Sequence, residues 1–120
     1  MIALVEDDPR YRRTVEDVLR LAGGHEVAAT FGTGRTAIAD AARRRQLGDA
    51  RPWDLLITDL EMPDVDGLQT TSAHKELFPD VPVLVLTVHE DPPTIVEAIA
   101  RGADGYLLKS TGPDELLDAV

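Results

Sequence analysis

Runs of consecutive apolar residues alternate along this chain with segments whose apolar positions recur every three to four residues. The first run, Ile2–Val5, predicts a buried strand. Asp8 then suits an N-cap and Pro9 a first helical position. Tyr11, Val15, Val18, Leu19 and Ala22 follow at helical spacing until Gly23-Gly24 ends the helix. Residues 26–31 alternate weakly and predict a second strand. Thr33-Gly34 opens a helix through Ala37, Ile38, Ala41 and Ala42 that closes in Arg43-Arg44-Arg45.

After a polar loop over 47–52, Trp53 stands as a packing residue at the edge of a third strand, Leu55–Asp59. Residues 68–78 give the weakest helical pattern, broken by Pro79-Asp80. A fourth strand is expected over 81–87, with Pro82 at its beginning, where a missing donor is tolerated. Asp91-Pro92-Pro93 restarts a helix through Ile95, Val96 and Ile99, ended by Arg101-Gly102. A fifth strand over 106–108 and a helix from Gly112-Pro113 complete the series, the chain end cutting that helix short. Five alternations of strand and helix predict an α/β fold: a doubly wound parallel sheet with right-handed crossovers.

The strands end in chemistry. Glu6-Asp7-Asp8 follows the first, Asp59 closes the third, Thr87 the fourth, and Lys109 follows the fifth. In a parallel sheet these ends share one edge. In the flavodoxin-like order 2-1-3-4-5, a crevice opens there between strands one and three. Four carboxylates flanking one crevice repel each other and call for positive charge. Lys109 can supply part of it. A hard divalent cation can supply the rest, and Mg2+ suits a few carboxylates plus phosphate oxygens.

Composition narrows the alternatives. There is no cysteine, which removes disulfides, thiolate metal sites and cysteine nucleophiles. His25, His74 and His89 show no metal spacing, which argues against zinc. The formal charge is −10, from 22 acids and 12 basic residues, so this segment is not expected to grip nucleic acid itself. No apolar run approaches the ~20 residues of a membrane span, and no signal peptide is visible, so a cytoplasmic location is expected.

A strand-end carboxylate beside Mg2+ and a lysine is equipped for phosphoryl transfer. Asp59 would attack phosphorus to give an acyl phosphate. Lys109 and the metal would neutralise the phosphoryl oxygens, and the Thr87 hydroxyl would donate to one of them.

The motifs resemble a response-regulator receiver domain of two-component signalling. They are the Val5-Glu6-Asp7-Asp8 cluster, Asp59-x-x-Met62-Pro63-x-x-Asp66-Gly67, Thr87, and Gly102-Ala103-Asp104-Gly105-Tyr106-Leu107-Leu108-Lys109. The last run, continued by Ser110-Thr111, most resembles the NarL/FixJ-type (LuxR-like) subfamily. The resemblance runs from Ile2 to the chain end and implies one receiver domain over 1–120. It implies that Asp59 is the phosphoacceptor, Asp7 a direct magnesium ligand, Glu6 an acid binding the metal through water, and Glu61 a ligand through its backbone carbonyl. Thr87 and Lys109 would contact the phosphoryl group, and Thr87 and Tyr106 would form a switch. The acidic pair could instead be Asp7-Asp8, but Asp8 is well placed as a helix cap.

The resemblance further implies a sensor histidine kinase as partner, a homodimer on activation, no membrane contact, and control of transcription through a helix-turn-helix output domain absent from this chain. It implies no turnover enzyme, only self-catalysed phosphotransfer and autodephosphorylation. Two departures matter. Val88 stands where the family has a small residue, and Ser110 where proline is commoner, which removes the expectation of a cis peptide there. Two rivals remain: a phosphorylation-independent interaction module, and an aspartate-nucleophile Mg-dependent phosphatase. The phosphatase typically has a second aspartate where this chain has Glu61.

Overall fold

A computed structural model of the chain describes residues 1–62, 65–88, 91–110 and 112–120. Five strands pair in parallel in the order β2-β1-β3-β4-β5: β1 Ile2–Val5, β2 Val27–Phe31, β3 Leu55–Asp59, β4 Val83–Thr87 and β5 Gly105–Leu108. The crossovers are α1 Pro9–Asp17, α2 Gly34–Gln46, α3 Gly67–Leu77 and α4 Pro92–Ala100, with α5 Pro113–Ala119 following β5. This is the flavodoxin-like doubly wound sheet predicted from the alternation.

The period of two along each strand divides the core. Ile2, Leu4, Ile57, Leu84 and Leu86 pack with Val15 and Leu19 and with Leu116 of α5. Ala3, Val5, Leu56, Val83 and Val85 pack with Ala37, Ala41, Trp53, Phe78 and Ala98 on the opposite face. β1 is apolar throughout, and β3 and β4 are apolar up to Thr58-Asp59 and Thr87 at their carboxyl ends, because both their faces are covered. Each buried Val, Leu or Ile side chain contributes roughly 1.5–3 kcal/mol.

Local chemistry sets the helix starts. Asp8 caps α1, accepting from the Arg10 N–H at 2.9 Å, and Pro9 occupies the first turn. Thr33 caps α2 and Asp91 caps α4. α3 is better defined than its weak pattern suggests. Asp66 and Gln69 form a reciprocal capping box, and the helix buries Thr70, Thr71 and His74, so polar residues occupy its inner face. Both threonine hydroxyls bond back to carbonyls four residues earlier, which makes that burial tolerable.

One expected helix changes form. The first crossover does not run as α-helix to Ala22: Val18–Ala22 is a π-helical turn. The left-handed residue beyond it is Gly24, with φ 67°, while Gly23 keeps negative φ. A Cβ at Gly23 would lie 2.5 Å from Leu117 Cδ2, a side-chain end that can shift, and 3.0 Å from the Leu19 carbonyl oxygen. The Lys109–Ser110 peptide is trans.

Candidate phosphoacceptor site

Three residues of the site extend one stripe of the sheet. Glu6 continues Ile2–Leu4, Asp59 continues Leu55–Ile57, and Lys109 continues Leu107, all toward the face covered by α1 and α5. At the carboxyl edge that stripe turns from apolar to charged. Lys109 Nζ lies 2.7 Å from Glu6 Oε1 and 3.1 Å from Asp59 Oδ2. Glu6 is fully buried, Asp59 is 2% exposed, and the Lys109 side chain is 20% exposed.

Backbone groups fix the carboxylates. The Asp8 N–H donates to Glu6 Oε2 at 3.1 Å, and the Glu61 N–H donates to Asp59 Oδ1 at 3.2 Å. Arg12 Nη1 donates to the Glu6 carbonyl at 2.7 Å, tying the loop after β1 to α1. The turn after β3 closes by the Gly67 N–H donating to the Leu60 carbonyl at 2.8 Å. A side chain at Gly67 would overlap the Asp59 carbonyl oxygen and sit 2.5 Å from Leu60 Cα, so only glycine permits this approach. Met62 of the same motif is a core residue. Pro63 lies outside the described residues, as do His89 and Thr111.

Electrostatics follow from burial. Desolvation pushes the Glu6 carboxyl up to about 7, against the lowering effect of Lys109 and the Asp8 N–H. Burial likewise raises Asp59, with Lys109 and Glu6 opposing it. Burial also works against the charge on Asp7, but hydrogen bonding to Glu6 and Asp59 outweighs it and holds Asp7 below the ordinary carboxylate range. Burial disfavours the Lys109 charge too, yet Glu6 and Asp59 together raise its pKa above the ordinary lysine value.

Carboxylate oxygens of Glu6, Asp7 and Asp59 lie within 4.8 Å of one another. Two of these three carboxylates, Glu6 and Asp59, pair with the Lys109 ammonium. An all-oxygen donor set with surplus negative charge fits a hard divalent cation such as Mg2+. Asp8 is engaged as the cap of α1, and it is Glu6-Asp7 that clusters with Asp59. Thr87 is buried at the end of β4, and its carbonyl accepts from the Lys109 N–H at 2.8 Å. Glu61 and Val88 are exposed at the rim, and Tyr106 is 40% exposed on β5.

The pattern of a receiver domain, described as "Response regulator receiver domain", matches residues 2–120. The chain belongs to the response regulator receiver domain family. Such domains are phosphoacceptors of two-component signalling rather than turnover enzymes. The receiver is 36% identical over 119 residues to the nitrate/nitrite response regulator protein NarP of Escherichia coli K12, covering 99% of this chain and 52% of NarP. It is 32% identical over 119 residues to the transcriptional regulatory protein DegU of Brevibacillus brevis, covering 99% of this chain and 48% of DegU. The chain thus spans about half the length of these curated relatives, which are of the NarL/FixJ type.

Among solved structures, the chemotaxis response regulator CheY4 of Vibrio cholerae, crystallised at low pH, superposes on the receiver with a TM-score of 0.83 at 31% identity, covering 98% and 92% of the two chains. A LuxR-family two-component response regulator from Aurantimonas sp. SI85-9A1 gives 0.82 at 26% identity, covering 98% of this chain and 79% of that one. No described helix of the receiver is long and apolar enough to cross a membrane.

Sequence reasoning missed two features near or behind this site. Tyr11, read only as a core position of the first helix, places its ring 4.8 Å from Lys109 Nζ. His74, read only as lacking metal spacing, is buried and accepts a hydrogen bond from Trp53 Nε1 at 3.1 Å. Neither had a signal in spacing, because each depends on a contact between distant segments.

Proposed function

We propose that this receiver accepts a phosphoryl group on Asp59 from the phosphohistidine of a sensor histidine kinase. One Asp59 oxygen attacks phosphorus, the bond from phosphorus to the donor nitrogen breaks, and the electron pair leaves with the imidazole. The observation that carries this reading is the seating of Asp59: a nearly inaccessible carboxylate held by the Glu61 N–H on one oxygen and by Lys109 on the other. A fixed nucleophile needs little reorganisation to reach an in-line geometry.

Glu6, Asp7, Asp59 and the Glu61 carbonyl are the groups assigned to hold Mg2+. When bound, the metal supplies charge neutralisation at the transferred phosphoryl oxygens. Lys109 binds a second phosphoryl oxygen and Thr87 donates its hydroxyl to a third. Phosphorylation adds roughly −1.5 to −2 charge. Thr87 moves toward it, and Tyr106 turns inward from its exposed position. The face carrying α4, β5 and α5 changes with them. Coupling of this kind is typically ~1–3 kcal/mol, enough to bias an existing equilibrium. Val96, Ile99 and Tyr106 give that face its exposed apolar side chains. Its readout is homodimerisation and control of transcription through a DNA-binding output domain; the transcriptional part is supported by the name of the longer relative DegU, a transcriptional regulatory protein.

Incubation with acetyl phosphate and Mg2+, followed by intact mass, tests the reading. One added phosphoryl group, lost in Asp59→Asn, is expected. Uptake that persists in Asp59→Asn, or no uptake at all, overturns it. Repeated turnover of a small phosphoester would favour the phosphatase rival instead.

A further inference from the structure

Resting on the phosphoacceptor reading above, we infer that Tyr11 is a positioning residue for Lys109: its ring face holds the ammonium over the acidic pocket while phosphoryl transfer rearranges the other partners of that ammonium. Lys109 Nζ stands 4.8 Å from the Tyr11 ring centroid. That is within the reach at which the negative face of an aromatic ring attracts a cation.

The polar partners described for this ammonium are Glu6 Oε1 and Asp59 Oδ2. Both are perturbed by the reaction. Asp59 becomes an acyl phosphate, and Glu6 is committed to the metal pocket. The Tyr11 ring takes part in neither change, so it is the contact that persists from start to finish.

Lys109 has somewhere else to go. Beside it lies a half-open cavity of about 190 Å³, lined by Tyr11, Val18, Leu107, Leu108, Lys109 and Leu116 among others. A lysine stem is flexible, and an ammonium released from Glu6 has room to swing toward this space. Tyr11 borders the same cavity and opposes that swing from α1. The ring is itself held. It packs against the core cluster of Val15, Leu19 and Leu116, and its backbone stands in the capped first turn of α1.

The contact needs a π face and no hydroxyl, which separates it from ordinary packing. Tyr11→Phe keeps the face. Tyr11→Leu keeps apolar volume and removes the face. The rate of phosphoryl uptake from acetyl phosphate with Mg2+ should fall about two- to thirty-fold in Tyr11→Leu, the range spanned by contacts of this kind, and stay within about twofold of the parent in Tyr11→Phe. In the proton spectrum, the Lys109 ε-methylene should be ring-current shifted in the parent and in Tyr11→Phe, and lose that shift in Tyr11→Leu. Melting curves for both variants show that each is folded.

Parent-like uptake in Tyr11→Leu, or equal slowing in both variants, overturns the inference. An unshifted Lys109 methylene in the parent overturns it independently of any phosphoryl transfer. A parent chain that takes up no phosphoryl group, with Lys109 shifted as expected, overturns the phosphoacceptor reading and leaves the Tyr11 contact established.

Discussion

Lys109 sits closer to Glu6 than to Asp59, 2.7 Å against 3.1 Å, so the lysine is first of all the counter-ion of a fully buried acid. A divalent cation entering the pocket has to share Glu6 with that ammonium. Replacing Lys109 with Gln removes the competing charge while keeping a polar side chain. We expect Lys109→Gln to bind Mg2+ several-fold more tightly than the parent in a calorimetric titration. Phosphoryl uptake should drop about tenfold or more, because a charge that stabilises the transferred group is gone. Weaker Mg2+ binding in the variant would mean that Lys109 organises the acids rather than competing for them.

The glycine of the β3–α3 turn gives a second prediction. A methyl group at Gly67 meets backbone on both sides, the Asp59 carbonyl and the Leu60 Cα, and backbone yields less easily than a side chain. Gly67→Ala should lose roughly 1–3 kcal/mol or more in denaturant unfolding. It should also slow phosphoryl uptake beyond what the stability loss explains, since the displaced segment carries Asp59. An alanine variant of parental stability would show that the turn relaxes by another route.

Val88 follows the buried Thr87 directly and is itself 62% exposed, which puts its branched side chain at the rim of the site. A smaller residue there should open the approach to Asp59. Val88→Ala is expected to gain and to lose the phosphoryl group several-fold faster, by timed mass measurement in Mg2+. An unchanged lifetime would remove any gating role from this side chain.

The alternation of strand and helix, and the strand ends that carry the acids, were legible because both depend on local pattern. Buried parallel strands are mostly apolar, and where Leu4-Val5 gives way to Glu6, or Leu56-Ile57 to Thr58-Asp59, the sheet has reached its edge. The cap at Asp8 and the helix starts at Thr33 and Asp91 were equally local. What sequence could not supply was the outcome of long-range contacts. α3 looked weak because it buries threonines and a histidine, and their cost is met by hydrogen bonds invisible in a hydropathy pattern. The π-helical turn over Val18–Ala22 leaves the apolar spacing of the first crossover nearly unchanged, so periodicity does not report it. Tyr11 reads as one more apolar position until β5 brings Lys109 over its ring.

His74 offers the last prediction, in acid stability. It lies 3% exposed among Trp53 and Phe78, stacked on the first, and burial lowers its pKa from 6.5 to about 4, with Lys75 adding to the effect. Trp53 Nε1 donates to His74 Nε2, so the ring proton belongs on Nδ1, which finds no partner among the described residues. Between pH 6.5 and about 4 the unfolded chain holds a proton on this histidine and the folded chain does not. Stability from this group therefore falls as pH drops through that window, by on the order of 3 kcal/mol in total, and is flat outside it. Glu6 acts in the opposite sense, because its folded pKa of about 7 exceeds its ordinary 4.5, so raw stability against pH mixes the two. The clean quantity is the difference between the parent and His74→Gln, which keeps an acceptor for Trp53 but does not titrate. That difference should be constant above neutrality and shift toward the variant as pH falls from 6.5 to about 4. Emission from Trp53, the chain's one tryptophan, should titrate in the folded parent with a midpoint near 4 and lose that step in the variant. A midpoint near 6.5 would mean that water reaches His74 and that the Trp53–His74 pair is not sealed in the core.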